Sequence, residues 1–124
     1  MPAALAAADA LGSLGISAAV VDARFVKPLD SALFCGLAQR LGLVVTVEDH
    51  ALAGGFGSAL LELFADQAPG TRVVRLGLPD RFLDHAEQDA QWRDAGIDAE
   101  SIARAAAQAF DGCGRAPLLP EEAA

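Results

Sequence analysis

The chain has 124 residues, a length that suits one domain built on a single hydrophobic core. Hydrophobic residues make up 53% of it, which excludes a disordered or fibrous protein. The formal net charge of −8 argues against a nucleic-acid or anionic-membrane surface, because the molecule would repel both partners.

Helical patterns alternate along the chain with three short apolar runs. An alanine-rich helix is predicted over residues 2–11, with no strand before it. Strands are predicted at residues 16–23, 43–48 and 71–78. Continuous apolar strands separated by helices are typical of a mostly parallel sheet that helices cover on both faces. The predicted fold class is therefore α/β, in a three-layer α/β/α arrangement.

The helix between the first two predicted strands has clear end signals. Asp30 is its predicted N-cap, Leu29 and Phe34 are spaced as a hydrophobic staple, and Gly42 ends the pattern. Its apolar face is expected to consist of Leu33, Phe34, Leu37 and Leu41. The inward stripe of the helix after the second strand is expected to consist of Leu60, Leu63, Phe64 and Gln67.

After the third strand, a turn is predicted at Pro79, followed by a helix that runs through Trp92 and stops at Gly96. Asp98 is the predicted cap of a last helix over residues 99–110.

The domain is predicted to occupy residues 1–110. Residues 111–124 mix glycine, proline and acidic residues without periodicity, which predicts a disordered tail. Cys35 and Cys113 match no metal-ligand or redox spacing, which indicates a reducing compartment. No segment has the apolar length of a membrane span, and the first residues lack the basic start of a signal peptide, so we expect a cytoplasmic protein.

The loop "EDHALAGGFGSA" is the first candidate for a binding site. Glycines between a strand and a helix let backbone N–H groups approach a phosphate at the helix N-terminus. Gly54, Gly55 and Gly57 form neither GxGxxG nor a P-loop pattern. A tight turn and close helix packing are therefore the favoured interpretation.

His50 and His85 are the two histidines, and each lies beside carboxylates. Imidazole titrates near neutrality, which is compatible with an acid–base role. A capping or interface role is favoured because no third partner completes a catalytic triad. A zinc site is disfavoured because the histidines and cysteines are scattered singly.

Four segments in chain order carry a family resemblance: "VDARFVKPLD", "VVTVEDHALAGGFGSALLE", "LGLPDRFLDHAEQDAQWRDAGID" and the closing helix. Together they resemble the C-terminal domain of the 1-deoxy-D-xylulose-5-phosphate synthase family, in the transketolase superfamily. The resemblance covers residues 16–110. It departs at Asp49, where the family usually has Glu, and at Ala86, where it usually has Gly.

The resemblance implies a transferase that condenses pyruvate with glyceraldehyde 3-phosphate, with loss of carbon dioxide, in isoprenoid (terpenoid) and thiamine biosynthesis. It implies a homodimer whose thiamine diphosphate and Mg²⁺ bind to N-terminal and middle domains that this chain lacks. On this interpretation the segment alone is inactive and has no catalytic, cofactor-binding or metal-binding residue. The family-motif positions, expected to make domain contacts, are Arg24, Lys27, Glu48, His50, Gly54, Gly55, Gly57 and His85.

The resemblance also implies that the chain is truncated at its N-terminus. An interior strand would be missing between the predicted strands at residues 16–23 and 43–48. A missing interior strand exposes ladder edges and uncovers apolar helix faces, so we expect poor solubility or partial order in the chain expressed alone.

Two alternatives remain open from the sequence. One is the C-terminal domain of a 2-oxo acid dehydrogenase E1 beta subunit or of a split transketolase. The other is a non-enzymatic α/β interaction module. The DNA upstream of Met1 would discriminate between the synthase and the module. A reading frame that encodes a strand and, further back, the Gly-Asp-Gly cofactor signature of the family favours a truncated synthase, and a ribosome-binding site directly before Met1 favours the module.

Overall fold

The computed structural model describes residues 1–81 and 86–112. In chain order they form helix α1 (Pro2–Ser13), helix α2 (Ser31–Leu41), strand β1 (Leu43–Ala51), helix α3 (Phe56–Gln67), strand β2 (Arg72–Leu78), helix α4 (Gln88–Ala95) and helix α5 (Ala99–Asp111). Within these residues β1 and β2 pair in parallel, with Thr46 opposite Arg75 and Glu48 opposite Gly77. A parallel pair needs a crossover connection, which α3 supplies.

The two faces of the sheet bury different side chains, because successive residues of a strand point to opposite faces. The core under α2 and α3 consists of Phe34, Cys35, Ala38, Leu60, Phe64 and Ala68, packed on Val44 and Val73. The core under α1 and α5 consists of Ala7, Leu11, Ile102, Ala103 and Ala106, packed on Val45 and Leu76. The predicted α/β class, with helices on both faces of a parallel sheet, is confirmed.

Helix α2 begins and ends where the sequence predicts. Asp30 Oδ1 accepts the N–H of Leu33 at 3.0 Å, and Gly42 closes the helix with a left-handed φ of 71°. The predicted apolar face is partly wrong, because Leu33 and Leu41 are 43% and 40% exposed. The buried face consists of Phe34, Cys35 and Ala38. The small side chain of Ala38 lets the helix approach its neighbours closely.

In α3 the predicted stripe is correct for the residues nearest the sheet. Leu60 and Phe64 are buried and Leu63 is half-buried, whereas Gln67 is exposed. Gln67 lies one turn beyond Phe64, at the last residue of the helix, where its Oε1 lies 3.8 Å from Cys35 Sγ.

The predicted strand at residues 16–23 is wrong for the described structure. The segment is assigned to no strand, and its residues 17–19 are exposed. Ile16 and Ala23, at its two ends, pack against the two cores. A strand needs a neighbour to receive its backbone hydrogen bonds, and apolar β-branched residues alone do not supply that neighbour.

The C-terminal helices agree with the predicted end signals. Helix α4 ends at Gly96, which has a left-handed φ of 72°, and Asp98 is the N-cap of α5. In α5 Ile102 is buried, while Phe110 is half-buried. His85 and residues 113–124 lie outside the described residues, so the predicted disordered tail stays a prediction beyond residue 112.

None of the helices in the described part of the chain combines the length and the apolar character that a membrane crossing requires.

Candidate functional site

Glu48 is a buried carboxylate near the end of β1, on the sheet face that carries α3. Its Oε1 accepts the backbone N–H of Gly57 at 2.9 Å and the Thr46 hydroxyl at 3.3 Å. Helix α3 has Gly55 as its N-cap, and glycine has no side chain with which to cap. Glu48 therefore supplies, from a neighbouring strand, the acceptor that an N-cap residue normally provides. Its negative charge also complements the positive end of the helix dipole.

An irregularity in β1 brings His50 back to Glu48. Between consecutive ladder pairs β1 carries two residues that have no partner in β2, and these are Asp49 and His50. His50 Nε2 lies 3.3 Å from Glu48 Oε2, and His50 Nδ1 lies 2.7 Å from the carbonyl oxygen of Ala51. At that distance Nδ1 must donate to the carbonyl, because two acceptors would repel. Both ring nitrogens thus face acceptors of the chain itself.

The glycines beside this pair provide the room that it needs. A Cβ atom at Gly55 would overlap Glu48 Oε2 and His50 Cε1. A Cβ atom at Gly57 would lie 2.7 Å from Glu48 Oε1, Thr46 Oγ1 and the Cδ of Arg75. The preceding Gly54 turns the loop with a left-handed φ of 71°. The prediction that these glycines serve a tight turn and close packing agrees with this geometry.

Arg75 of β2 holds the other side of the loop. Its Nη1 donates to the carbonyl oxygen of Leu52 at 3.2 Å and to Ser58 Oγ at 3.0 Å. Ser58 Oγ itself donates to the same Leu52 carbonyl at 3.2 Å. The loop between β1 and α3 is therefore tied to both strands by charged side chains.

The sequence analysis missed three members of this cluster: Thr46, Ser58 and Arg75. The sequence holds a signal for two of them, Arg75 and Thr46. Arg75 interrupts an otherwise apolar parallel strand, and Thr46 lies two residues before Glu48, which places both on the same face of the sheet. These signals do not give the register of the two strands, and it is the register that places Arg75 opposite Thr46.

The cluster does not fit a diphosphate or a metal ion. Glu48 already accepts the Gly57 N–H at the start of α3, and its charge would repel a phosphate there. Within residues 1–81 and 86–112, no three histidine, cysteine or acidic side chains lie together as a possible metal site. The Glu48 cluster therefore does not match thiamine diphosphate and Mg²⁺, which the resemblance implies for the complete enzyme.

Arg24 and Lys27 lie on a separate loop before α2. Arg24 has a left-handed φ of 52°, and its N–H contacts Asp22 Oδ1 at 3.3 Å. Between the two basic residues, Phe25 and Val26 are 65% and 43% exposed. The loop therefore presents two basic and two apolar side chains to the surroundings. Within the described residues it makes no hydrogen bond with the Glu48 cluster.

Comparison with known proteins gives a family match. Residues 1–102 match the model of the transketolase C-terminal domain. The 1-deoxy-D-xylulose-5-phosphate synthase of Thermomicrobium roseum is 59% identical over 97 residues, which cover 78% of this chain and 15% of that protein. The synthase of Anaeromyxobacter sp. strain Fw109-5 is 56% identical over 106 residues, which cover 83% of this chain and 17% of that protein.

A more distant synthase and a solved structure extend these findings. The Aquifex aeolicus enzyme is 48% identical over 88% of this chain, which is 17% of that protein. A solved split-gene transketolase, described as an inactive β4 tetramer, superposes with a TM-score of 0.77 and 34% identity, covering 89% of this chain and 34% of its own. The chain spans about one sixth of the length of these curated relatives.

Proposed function

Because the chain belongs to the transketolase C-terminal domain family, we propose that it is the C-terminal domain of a 1-deoxy-D-xylulose-5-phosphate synthase. The observation that carries this proposal is the identity to three such synthases, 48% to 59%, over most of the chain. The split-gene transketolase, at 34% identity, is a less similar relative.

The complete enzyme would condense pyruvate with glyceraldehyde 3-phosphate and release carbon dioxide, giving 1-deoxy-D-xylulose 5-phosphate for isoprenoid and thiamine synthesis. Thiamine diphosphate would supply the carbanion chemistry and Mg²⁺ would hold its diphosphate, both bound by the N-terminal and middle domains. The enzyme would act as a cytoplasmic homodimer.

The role that we propose for this domain is dimerisation and packing against the catalytic domains. Two features support it. The side chains of Glu48 and Arg75 bond to the backbone of the loop and of the first turn of α3, which stiffens this part of the domain. The loop around Arg24 and Phe25 is exposed and partly apolar, as expected of a surface that another domain covers.

The reaction is tested with the full-length chain, meaning the complete enzyme of which these residues are the proposed C-terminal domain. It is supplied with thiamine diphosphate, Mg²⁺, pyruvate and glyceraldehyde 3-phosphate. We expect 1-deoxy-D-xylulose 5-phosphate and carbon dioxide in equal amounts. Transfer of a two-carbon unit between sugar phosphates, without release of carbon dioxide, would instead identify a transketolase and overturn the proposal.

The contact role is tested by Arg24→Ala in the full-length chain. Its matched control is Arg40→Ala, which removes an exposed arginine from the last turn of α2. We expect Arg24→Ala to raise the subunit dissociation constant by about five- to tenfold, the size of effect expected of one interface arginine. The control should leave the dissociation constant unchanged. His85→Ala, at another of the family-motif positions, should act like Arg24→Ala.

A large loss of turnover in Arg24→Ala, with the subunit dissociation constant and the cofactor affinity intact, would contradict the contact role.

A further inference from the structure

The Glu48–His50 pair contains a mismatch that the capping role does not explain. Glu48 Oε2 is buried and has no hydrogen-bond partner, although its other oxygen has two. His50 Nε2 lies 3.3 Å from it, at ion-pair distance but without hydrogen-bond geometry. A buried acceptor without a donor is costly, so the state of the imidazole decides whether this oxygen is satisfied.

The state of the imidazole is constrained by its other nitrogen. Because Nδ1 donates to the Ala51 carbonyl, a neutral His50 carries its proton there and turns the bare lone pair of Nε2 toward Glu48 Oε2. Two acceptors then face each other. When His50 is protonated, its positive charge lies 3.3 Å from Oε2 and forms an ion pair with the buried carboxylate.

We propose that Glu48 and His50 form a proton-dependent latch on residues 49–55, which comprise the last three residues of β1 and the loop that joins it to α3. With His50 protonated, Glu48 is held in place and caps α3 through the Gly57 N–H. With His50 neutral, the carboxylate is drawn toward water, the cap weakens and the loop opens more often. The imidazole is 54% exposed, so it exchanges protons with solvent, while the carboxylate is 3% exposed.

Two other charged groups lie around the latch. On β1 Asp49 is exposed, and on β2 Arg75 lies beside Gly57. In the first turn of α3 there is no acidic side chain, and the positive end of the helix favours the ionised Glu48. The loop lies at the carboxyl end of the sheet, where α/β proteins place functional surfaces, so the latch would set the shape of a contact surface.

The test is hydrogen–deuterium exchange of the full-length chain, read on peptides that cover residues 49–57 and corrected for the intrinsic effect of pH. We expect the protection of these amides to be about threefold lower at pH 8 than at pH 6, because the imidazole is neutral more often at the higher pH. A threefold change suits an ion pair with one exposed partner. A peptide from α5 serves as the internal reference and should show no such fall.

Two variants separate the latch from a general effect of pH. Glu48→Gln keeps an oxygen for the Gly57 N–H and gives the neutral His50 Nε2 a donor. In this variant the protection of the amides of residues 49–57 from exchange should not fall as the pH rises. His50→Gln offers Glu48 a donor at every pH, so its protection should be independent of pH.

A wild-type loop whose protection does not change with pH would overturn the latch, as would a Glu48→Gln loop that follows the wild type. An equal fall in the α5 reference would also overturn it, because the effect would then be global. The readout is amide exchange and not turnover. Failure of the latch therefore leaves the proposed function standing, and failure of the proposed function leaves the latch standing.

Discussion

At the scale of single residues, the chain caps a helix from a distance. The N-cap position of α3 is a glycine, and the capping oxygen comes from Glu48, seven positions earlier. The glycine is required because the carboxylate and the imidazole of His50 occupy the space that a side chain would fill. The spacing between the glutamate and the glycines in "EDHALAGGFG" therefore follows from one packing requirement.

This requirement predicts opposite effects of the same substitution at two glycines. Gly57→Ala places a methyl group 2.7 Å from atoms of three side chains, so we expect it to destabilise the full-length chain by about 1–3 kcal/mol. Gly36→Ala is the matched control, because Gly36 lies in α2 with nothing within 4 Å of its Cβ position. It should stabilise the chain by about 0.5–1 kcal/mol.

The measurement is the midpoint of thermal unfolding, which should fall for Gly57→Ala and rise for Gly36→Ala. If both substitutions raised the midpoint, the close packing around Glu48 described above would be wrong.

For single residues, the sequence predicts the role of a residue better than it predicts the side chains that contact it. That Gly55 and Gly57 serve close packing follows from the absence of any phosphate-binding pattern. The sequence does not show that Glu48 is the group packed against them. That contact depends on two extra residues in β1 and on the register with β2. Arg75 was missed for the same reason, since its partners Leu52 and Ser58 are distant in sequence.

At the scale of elements, helix ends are predictable because their chemistry is local. Asp30 caps α2 through a residue three positions away, and Gly42 and Gly96 close their helices by their own conformation. The predicted strand at residues 16–23 failed because a strand is not a local structure. Its β-branched residues favour an extended chain, but pairing depends on a neighbour, and none pairs with it among the described residues.

The start of α5 has a carboxylate that should make its stability depend on pH. Hydrogen bonding from the Ser101 side chain lowers the pKa of Asp98 from its ordinary value of 3.8. A lowered pKa means that the ionised form stabilises the folded state. This contribution is fully present above the ordinary value and is lost as the pH falls through the lower, folded value.

Asp98→Asn tests this contribution, because asparagine also favours the N-cap position but carries no charge. At pH 6 the variant should be less stable than the wild type by about 0.5 kcal/mol, the size of a charge effect at a helix end. The difference should shrink as the pH is lowered below 3.8. The measurement is the urea midpoint of helical circular dichroism in the full-length chain, and a difference that stays constant down to pH 3 would rule out the charge as its cause.

At the scale of the whole molecule, the described sheet is narrow for the helices that it carries. Two strands separate two cores, and large apolar side chains such as Val21, Val47 and Leu61 are exposed. Both strands are edges of the described sheet, and residues 16–23 pair with neither of them. Unpaired strand edges beside apolar surface favour association.

We therefore expect the 124-residue chain, expressed alone, to be poorly soluble, partly ordered or associated. Val47→Lys puts a charge on the edge strand β1 and should reduce the association. Leu61→Lys, on the exposed side of α3, is the control; the two side chains are 39% and 40% exposed in the wild type. The measurement is molar mass by light scattering after size-exclusion chromatography, followed by thermal unfolding. A soluble wild-type monomer with a sharp, reversible transition would count strongly against the expectation.

The contact between α1 and α5 has a consequence for which substitutions the domain tolerates. Its buried side chains are mostly alanines, among them Ala7, Ala103 and Ala106. Alanine loses no rotamer freedom on burial, so the two backbones approach closely at little entropic cost. Because the two helices are so close, a larger side chain at these positions has no space and must push the helices apart. A library randomised at Ala7 and Ala106 should therefore return alanine, glycine and serine almost exclusively, so that this interface selects residues by size and hardly at all by hydrophobicity.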